Sequence, residues 1–129
     1  MDKTISYLRI LFHILTLLLI ILSLYPGSIL GFLVYGNFKY HPQFTRDFAY
    51  ISSNHLYVYF ILSALGFFSY LKDNKFKLII IYLFFLSFIL EILHFIIPKR
   101  GFEISDLVGN ILGVLIAYIV VILYKYWKK

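Results

Sequence analysis

The residues best able to do chemistry lie in the last third of the chain, within long apolar runs. Glu91 and His94 are three residues apart, so on a helix their side chains share one face. Asp106 and Asn110 are four residues apart in the next run and share a face in the same way. These groups offer carboxylates, an imidazole and an amide, from which acid–base sites, polar-ligand sites and metal sites are built.

The surroundings of these groups are unusually apolar. Of the 129 residues, 62% are hydrophobic, 21% are aromatic and only 14% are charged. A carboxylate at the centre of a membrane span costs about 2.5–3.5 kcal/mol on insertion scales, so such groups usually face a protein interior or a wet cavity. Glu91 should therefore have partners, and the region around it is the strongest candidate for a functional site.

Composition excludes several classes of protein. A mean hydropathy of +0.90 is too high for a soluble globular domain. The chain contains no cysteine, which excludes disulfides and thiolate chemistry. Its net charge of +6 comes mostly from residues beside the apolar runs, as is typical of topology determinants rather than of a nucleic-acid interface.

The apolar runs predict an all-α polytopic membrane protein. We expect a single domain, residues 1–129, that forms a bundle of four transmembrane helices. The expected spans are approximately 5–24, 55–71, 78–97 and 105–124. Continuous apolar runs of this length are unlike the alternating pattern of barrel strands.

Residues 28–53 are harder to interpret. Ser28 to Tyr35 is apolar but too short to cross a membrane, and Asn37 to Asp47 alternates between polar and aromatic residues. We interpret the segment as a loop in the membrane interface, where tyrosine and phenylalanine are favoured. A re-entrant or ligand-binding element is the alternative.

The distribution of lysine and arginine predicts the orientation. With the N-terminus inside, the cytoplasmic segments carry eight of these residues: Lys3, Arg9, Lys72, Lys75, Lys77, Lys125, Lys128 and Lys129. The other side carries four: Lys39, Arg46, Lys99 and Arg100. Both termini should therefore be cytoplasmic, with the loops 25–53 and 98–104 facing outward.

This topology predicts one polar pocket near the outer surface. The short loop 98–104 makes the last two spans antiparallel neighbours, so their polar faces meet, while Asn54 and His55 open the second span at the same level. The candidate ligand-binding residues are His55, Glu91, His94, Arg100, Asp106 and Asn110. His13, alone in the first span, is expected to be a packed core histidine.

The arrangement of these residues resembles a known family. The C-terminal run Glu91-x-x-His94, Pro98-x-Arg100, Ser105-Asp106-x-x-x-Asn110-x-x-Gly113 is similar to the signature of VanZ-like membrane proteins. Weaker similarities are Leu22-Ser23-Leu24-Tyr25-Pro26-Gly27 at the end of the first span and His55-Leu56-x-x-Tyr59-x-x-Leu62 in the second. The chain departs from the pattern at His94, where the family usually has glutamine, and at Ile51-Ser52, which replaces an Asp-Lys pair.

The resemblance implies a small integral protein of the bacterial cytoplasmic (inner) membrane. The name VanZ also implies a role in resistance to a glycopeptide antibiotic, teicoplanin, at the cell envelope. We expect the chain to bind or handle a lipid or a lipid-linked cell-wall molecule in the polar pocket. The alternative is a non-catalytic accessory subunit of a larger membrane complex with a protein partner. No feature fixes a reaction, which favours a protein that is not an enzyme.

Each candidate residue also has a structural interpretation, and both stay open. Glu91 could pair with a neighbour simply to hold helices together, and Asp106 or Ser105 could cap the last helix. Arg100 could extend along the interface, Asn110 could bond a neighbouring helix, and Gly109 with Gly113 could allow close helix packing.

A metal site is the less favoured alternative. Glu91 and His94, with a second histidine and an aspartate nearby, supply ligands that suit zinc or another divalent transition metal. The di-metal pattern of helix bundles, however, needs two such motifs and two further carboxylates. From the sequence we therefore expect no bound metal and no cofactor.

Overall fold

The long apolar runs form helices, and the all-α prediction is confirmed. The structure, a computed structural model, describes residues 2–129. Within those residues it contains five helices and no β-strand beyond an isolated bridge between Phe48 and Ile51. The helices are α1 (Lys3–Leu24), α2 (Ile29–Tyr35), α3 (Ser53–Tyr70), α4 (Phe76–Leu93) and α5 (Ile104–Trp127).

Three of these helices, α1, α4 and α5, are long and apolar enough to cross a membrane. The second expected span corresponds to α3, which is more polar and does not belong to this group. Its polarity has a structural reason, since Ser53, Ser63 and Ser69 are buried within the protein, Ser53 beneath the loop that contains Thr45 and Asp47. The four-span bundle stays a prediction.

The third span ends earlier than the sequence predicted. Helix α4 ends at Leu93 rather than at residue 97, and residues 94–97 form tight turns. The N–H groups of His94 and Phe95 donate to the carbonyls of Glu91 and Ile92, each at 3.1 Å, which is the three-residue bonding of a tightened last turn.

The segment that we interpreted as a loop begins with a short helix, α2. Ser28 caps it, because its Oγ accepts from the N–H of Gly31 at 2.9 Å, and Gly36 ends it in the left-handed conformation with φ of 67°. Gly31 lies directly beneath the carbonyl of Tyr40, where a Cβ would come within 1.6 Å of the oxygen. Packing by the returning loop thus stabilises a helix that is too short to be predicted from its periodicity.

Helix α3 lies at the centre of the bundle and contacts α1, α4 and α5. Its closest neighbour is α5, where Gly109 and Gly113 face the α3 backbone. A Cβ on Gly113 would lie 2.6 Å from the Leu56 carbonyl oxygen. Because lipid gives no hydrophobic driving force between helices, small residues that allow backbones to approach are what stabilise such contacts. The core around this contact contains Phe12, Tyr59, Leu62, Phe67, Leu83, Val114, Ala117 and Val121.

The long helices alternate in direction, so the bundle has two distinct ends. At one end the C-termini of α1 and α4 meet the N-termini of α3 and α5, as shown by the bond from the Ser52 N–H to the Ser105 carbonyl at 3.1 Å. At the other end the start of α1 meets the end of α3 and the turn before α4, where Arg9 and Asp73 form an ion pair at 2.7 Å.

We call the second end the Arg9 network, comprising Arg9, His13, Ser69, Tyr70 and Asp73. Arg9 donates from Nε to the Ser69 carbonyl at 3.0 Å, and its guanidinium lies 4.3 Å from the centre of the Tyr70 ring.

His13 was predicted to be a packed core histidine, and this is wrong. Its side chain is exposed on the surface of α1, with Nε2 2.9 Å from the Tyr70 hydroxyl.

Candidate functional site

Glu91 is fully buried at the end of α4, and its two carboxylate oxygens have different surroundings. Its exposed fraction is 1%. Oε1 accepts the N–H of Glu103, the residue that precedes α5, at 3.0 Å. Oε2 lies 3.2 Å from His94 Nδ1, but it has no hydrogen-bond partner with suitable alignment. One half of the carboxylate therefore joins α4 to α5, while the other half is buried without a bond.

His94 contacts Glu91 on one side and α1 on the other. Its Nε2 donates to the Ser23 carbonyl at 3.0 Å and lies 3.2 Å from the Ser23 hydroxyl. Because a carbonyl can only accept, Nε2 carries a hydrogen, and Nδ1 faces Glu91 Oε2. The face shared by Glu91 and His94 exists as the spacing predicted, whereas the contact with Ser23 was not foreseen.

His55 and Asn110 connect α3 to α5, and Asn110 also reaches α4. The Asn110 side-chain nitrogen donates to the Ser87 carbonyl at 3.1 Å, which fixes the orientation of the amide. The amide oxygen consequently faces His55 Nδ1 at 2.8 Å, so Nδ1 is the donor. The structure therefore contains the interhelical bonding that the sequence gave as one interpretation of Asn110.

Asp106 lies in the first turn of α5, and it is not the cap of that helix. The capping position is Glu103, whose side chain makes no capping bond. Asp106 Oδ2 instead lies 3.4 Å from His55 Nε2. A carboxylate in the first turn also interacts favourably with the positive end of the helix dipole. Both sequence-based cap assignments, Asp106 and Ser105, are therefore wrong.

Arg100 is near these groups but is bonded to α1. Its Nη2 donates to the Leu22 carbonyl at 2.6 Å and its Nε donates to the Tyr25 carbonyl at 3.2 Å. These carbonyls belong to the last turn and the end of α1, where backbone acceptors lack helical partners. Partial burial lowers the pKa of Arg100, and the charges of Glu91 and Asp106 oppose that shift. Arg100 therefore fixes the end of α1 beside the carboxylates.

His41 is a residue near the site that sequence reasoning missed. It belongs to the loop after α2 and is exposed on one side. Burial of its other side lowers its pKa, the charge of Arg100 lowers it further, and Asp106 opposes the shift. The loop thus returns over the polar residues, and its His-Pro dipeptide was the only available signal, too common to single out.

Asn54 does not join the polar pocket as expected. Its side chain accepts from the Phe44 N–H at 3.0 Å and donates to the Pro42 carbonyl at 2.6 Å, which fixes the loop against the first turn of α3. Asp47 from the same loop accepts the Ser53 N–H at 3.0 Å and so caps α3 from outside the helix.

A shallow concavity of about 460 Å³ on this loop is lined by Gln43, Phe44, Thr45, Arg46 and Asp47.

Five of the six predicted residues thus come together, and we call them the polar cluster: His55, Glu91, His94, Asp106 and Asn110. Two carboxylates and two imidazoles from three helices meet at the end of the bundle. His55 and Asp106 are partly exposed, with 32% and 21% of their side chains accessible, while Glu91 and His94 are buried. Such a set can accept hydrogen bonds from hydroxyl or amine groups, or hold a cation.

Comparison with known proteins supports the resemblance noted from the sequence. A family model described as VanZ/LLP1 matches residues 7–125, nearly the whole chain. No curated protein and no solved structure matches the chain.

Proposed function

Because the chain belongs to the VanZ/LLP1 family, we propose that it is a four-span protein of the bacterial inner membrane whose polar cluster binds the head group of an envelope lipid. The ligand class is a lipid or a lipid-linked cell-wall molecule. Family membership and three membrane-length apolar helices support a membrane protein.

The fourth span in this proposal is α3. It has 18 residues, which corresponds to about 27 Å of helix and is close to the thickness of the hydrocarbon layer. Its serines are buried and Gly66 faces Phe12 of α1, and the position of α3 between α1, α4 and α5 removes the need for an apolar surface all round. With both termini cytoplasmic, the polar cluster lies at the outer surface.

The observation that carries the proposal is the buried Glu91 oxygen without a bond. An unpaired buried charge is costly, so a carboxylate that only held helices together should have both oxygens paired within the fold. Ser63 Oγ is likewise buried without a partner, but it carries no charge. Glu91 Oε2 is buried and lacks an aligned partner, whereas Oε1 has one. The Glu91 carboxylate thus has one acceptor oxygen without a hydrogen bond, at the end of the bundle where α1, α3, α4 and α5 meet.

The charges around the polar cluster suggest which head groups it would bind. The carboxylates of Glu91 and Asp106 accept bonds from hydroxyl or amine groups, which sugars and amino alcohols provide. The positive charge of Arg100, which interacts with both carboxylates, favours a neighbouring phosphate. Only 11% of the 18-residue apolar window of α1 is buried, so this helix offers an exposed apolar surface for acyl or polyprenyl tails. A phosphorylated, hydroxyl-bearing head group fits this arrangement.

Lipid mass spectrometry of the protein purified from native membranes tests the proposal. We expect a specific lipid to co-purify with the wild type and to be reduced at least about tenfold in Glu91→Gln and Asp106→Asn, the loss of about 1.4 kcal/mol of binding. Both changes keep size and remove charge. Asp73→Asn, the same change in the Arg9 network, is the matched control and should retain the lipid.

An accessory role in a larger complex remains the second candidate, favoured by the same exposed face of α1. It predicts a protein partner in the purified sample and no specific lipid. It also predicts that Glu91→Gln and Asp106→Asn retain full function. That outcome, with normal thermal stability of both variants in detergent, would overturn the lipid proposal.

A further inference from the structure

His55, Glu91 and Asp106 form a compact set of potential metal ligands. Each contributes one ligand atom, and these atoms lie within 4.8 Å of one another. Ligand atoms that bind one ion at about 2.0–2.2 Å are separated by roughly 3–4.3 Å, so small side-chain movements suffice. The closest pair, His55 Nε2 and Asp106 Oδ2, is already 3.4 Å apart. The histidine of the sequence motif, His94, is not in this set.

The hydrogen bonds of Asn110 prepare His55 as a ligand. Because the Asn110 amide nitrogen donates to the Ser87 carbonyl, its oxygen accepts from His55 Nδ1 at 2.8 Å. Neutral His55 therefore has its lone pair on Nε2, on the side of Asp106. Metal-binding histidines characteristically donate their other N–H to an oxygen acceptor, which fixes both the tautomer and the orientation of the ring.

Glu91 supplies an independent indication that a cation belongs here. Its side chain is fully buried, and Oε2 has no aligned hydrogen-bond partner. The nearest group is His94 Nδ1 at 3.2 Å, which is not aligned for a hydrogen bond, whereas Oε1 accepts the Glu103 N–H. A cation shared with Asp106 and His55 would give the carboxylate a further partner.

We propose that His55 Nε2 and the carboxylates of Glu91 and Asp106 bind one divalent transition-metal ion. The imidazole favours Zn²⁺ over the oxygen-preferring Mg²⁺ and Ca²⁺. Three protein ligands leave at least one coordination position free, on the side where His55 and Asp106 are partly exposed. Asn110 is a positioning residue, since it acts on the metal through His55. From the sequence we expected no metal, and the metal alternative weighed there included His94, which this site omits. It does not depend on lipid binding.

Metal titration of the purified full chain in detergent tests this site. After treatment with a chelator, we expect one equivalent of Zn²⁺ to bind per chain, and Mg²⁺ at the same concentration to bind far more weakly. His55→Gln and Asp106→Asn should weaken binding at least tenfold. His13→Gln and Asp73→Asn make the same chemical changes in the Arg9 network and should leave it unchanged. Asn110→Ala should weaken it by about 10–100-fold.

Two further measurements keep the test decisive. His94→Gln separates the metal from a proton held between Glu91 and His94, since only the proton needs the imidazole of His94. The metal should bind to this variant. If a cluster variant fails to fold, visible absorption of wild-type protein with Co²⁺ should still report nitrogen and oxygen ligands in a site of low coordination number. No stoichiometric metal in the wild type, or equal loss in the Arg9-network controls, would refute the proposal.

Discussion

The two ends of the bundle both join α1, α3 and α4 through polar groups, yet the bonding differs. In the Arg9 network the ionic groups pair with each other: Arg9 contacts Asp73, the Ser69 carbonyl and the Tyr70 ring. In the polar cluster two carboxylates lie beside two imidazoles, and one buried oxygen of Glu91 has no aligned bond. Complete pairing is sufficient to explain helix association at the first end. At the polar-cluster end the pairing is incomplete, and we therefore assign the ligand to that end.

The largest expected effect concerns which end faces outward. An impermeant thiol reagent applied to intact cells should label Lys99→Cys, near the polar cluster, and not Lys75→Cys, near the Arg9 network. The chain has no cysteine of its own, so labelling reports only the introduced residue. The physical reason is the excess of lysine and arginine on the Arg9-network side.

Labelling after the cells are opened is the control, since both positions should then react. If only Lys75→Cys were labelled in intact cells, the polar cluster would lie on the cytoplasmic side. An outer-leaflet ligand would then be excluded, although the metal site would be unaffected.

The second prediction compares helix packing near the two ends. Gly113→Ala places a Cβ 2.6 Å from the Leu56 carbonyl oxygen and 2.9 Å from the Phe60 nitrogen, both rigid backbone atoms. Gly66→Ala places one 2.6 Å from an outer ring atom of Phe12, a side chain rather than backbone. Overpacking costs about 1–3 kcal/mol, and we expect Gly113→Ala near the top of that range and Gly66→Ala near the bottom.

Thermal unfolding in detergent measures this difference, with Gly101→Ala as the control, because a Cβ there meets nothing within 4 Å. Gly113→Ala should also disturb metal binding, since it separates α3, which carries His55, from α5, which carries Asp106. Equal stability of the two variants would mean that the α3–α5 contact is less rigid than the structure indicates.

Local geometry explains what the sequence could predict. The separation of Glu91 and His94 determines that they share a face, and the apolar runs determine which segments form α1, α4 and α5. Contacts between distant segments were not predictable. No periodic signal indicates that the loop after α2 brings His41 toward Asp106, that Ser23 binds His94, or that Arg100 fixes the end of α1. The wrong assignment of Asp106 as a cap has the same origin, because its partner His55 comes from another helix.

The smallest expected effect is the pH dependence of the Arg9 network. The N–H of Lys75, and then Arg9, lower the pKa of Asp73 below its usual value. A carboxyl group whose pKa is lowered by folding stabilises the folded state above its unfolded pKa, and this contribution is lost as the pH falls through the folded pKa. Asp73 should therefore stabilise the protein by a constant amount at neutral and mildly acidic pH, and lose that contribution only in strong acid.

The difference in melting temperature between the wild type and Asp73→Asn should follow this course. Since the pair is partly solvated, the difference should be small, and function should be unchanged throughout. A large loss of lipid or metal binding in Asp73→Asn would show that the two ends are coupled, and the contrast between a structural end and a ligand-binding end would then fail.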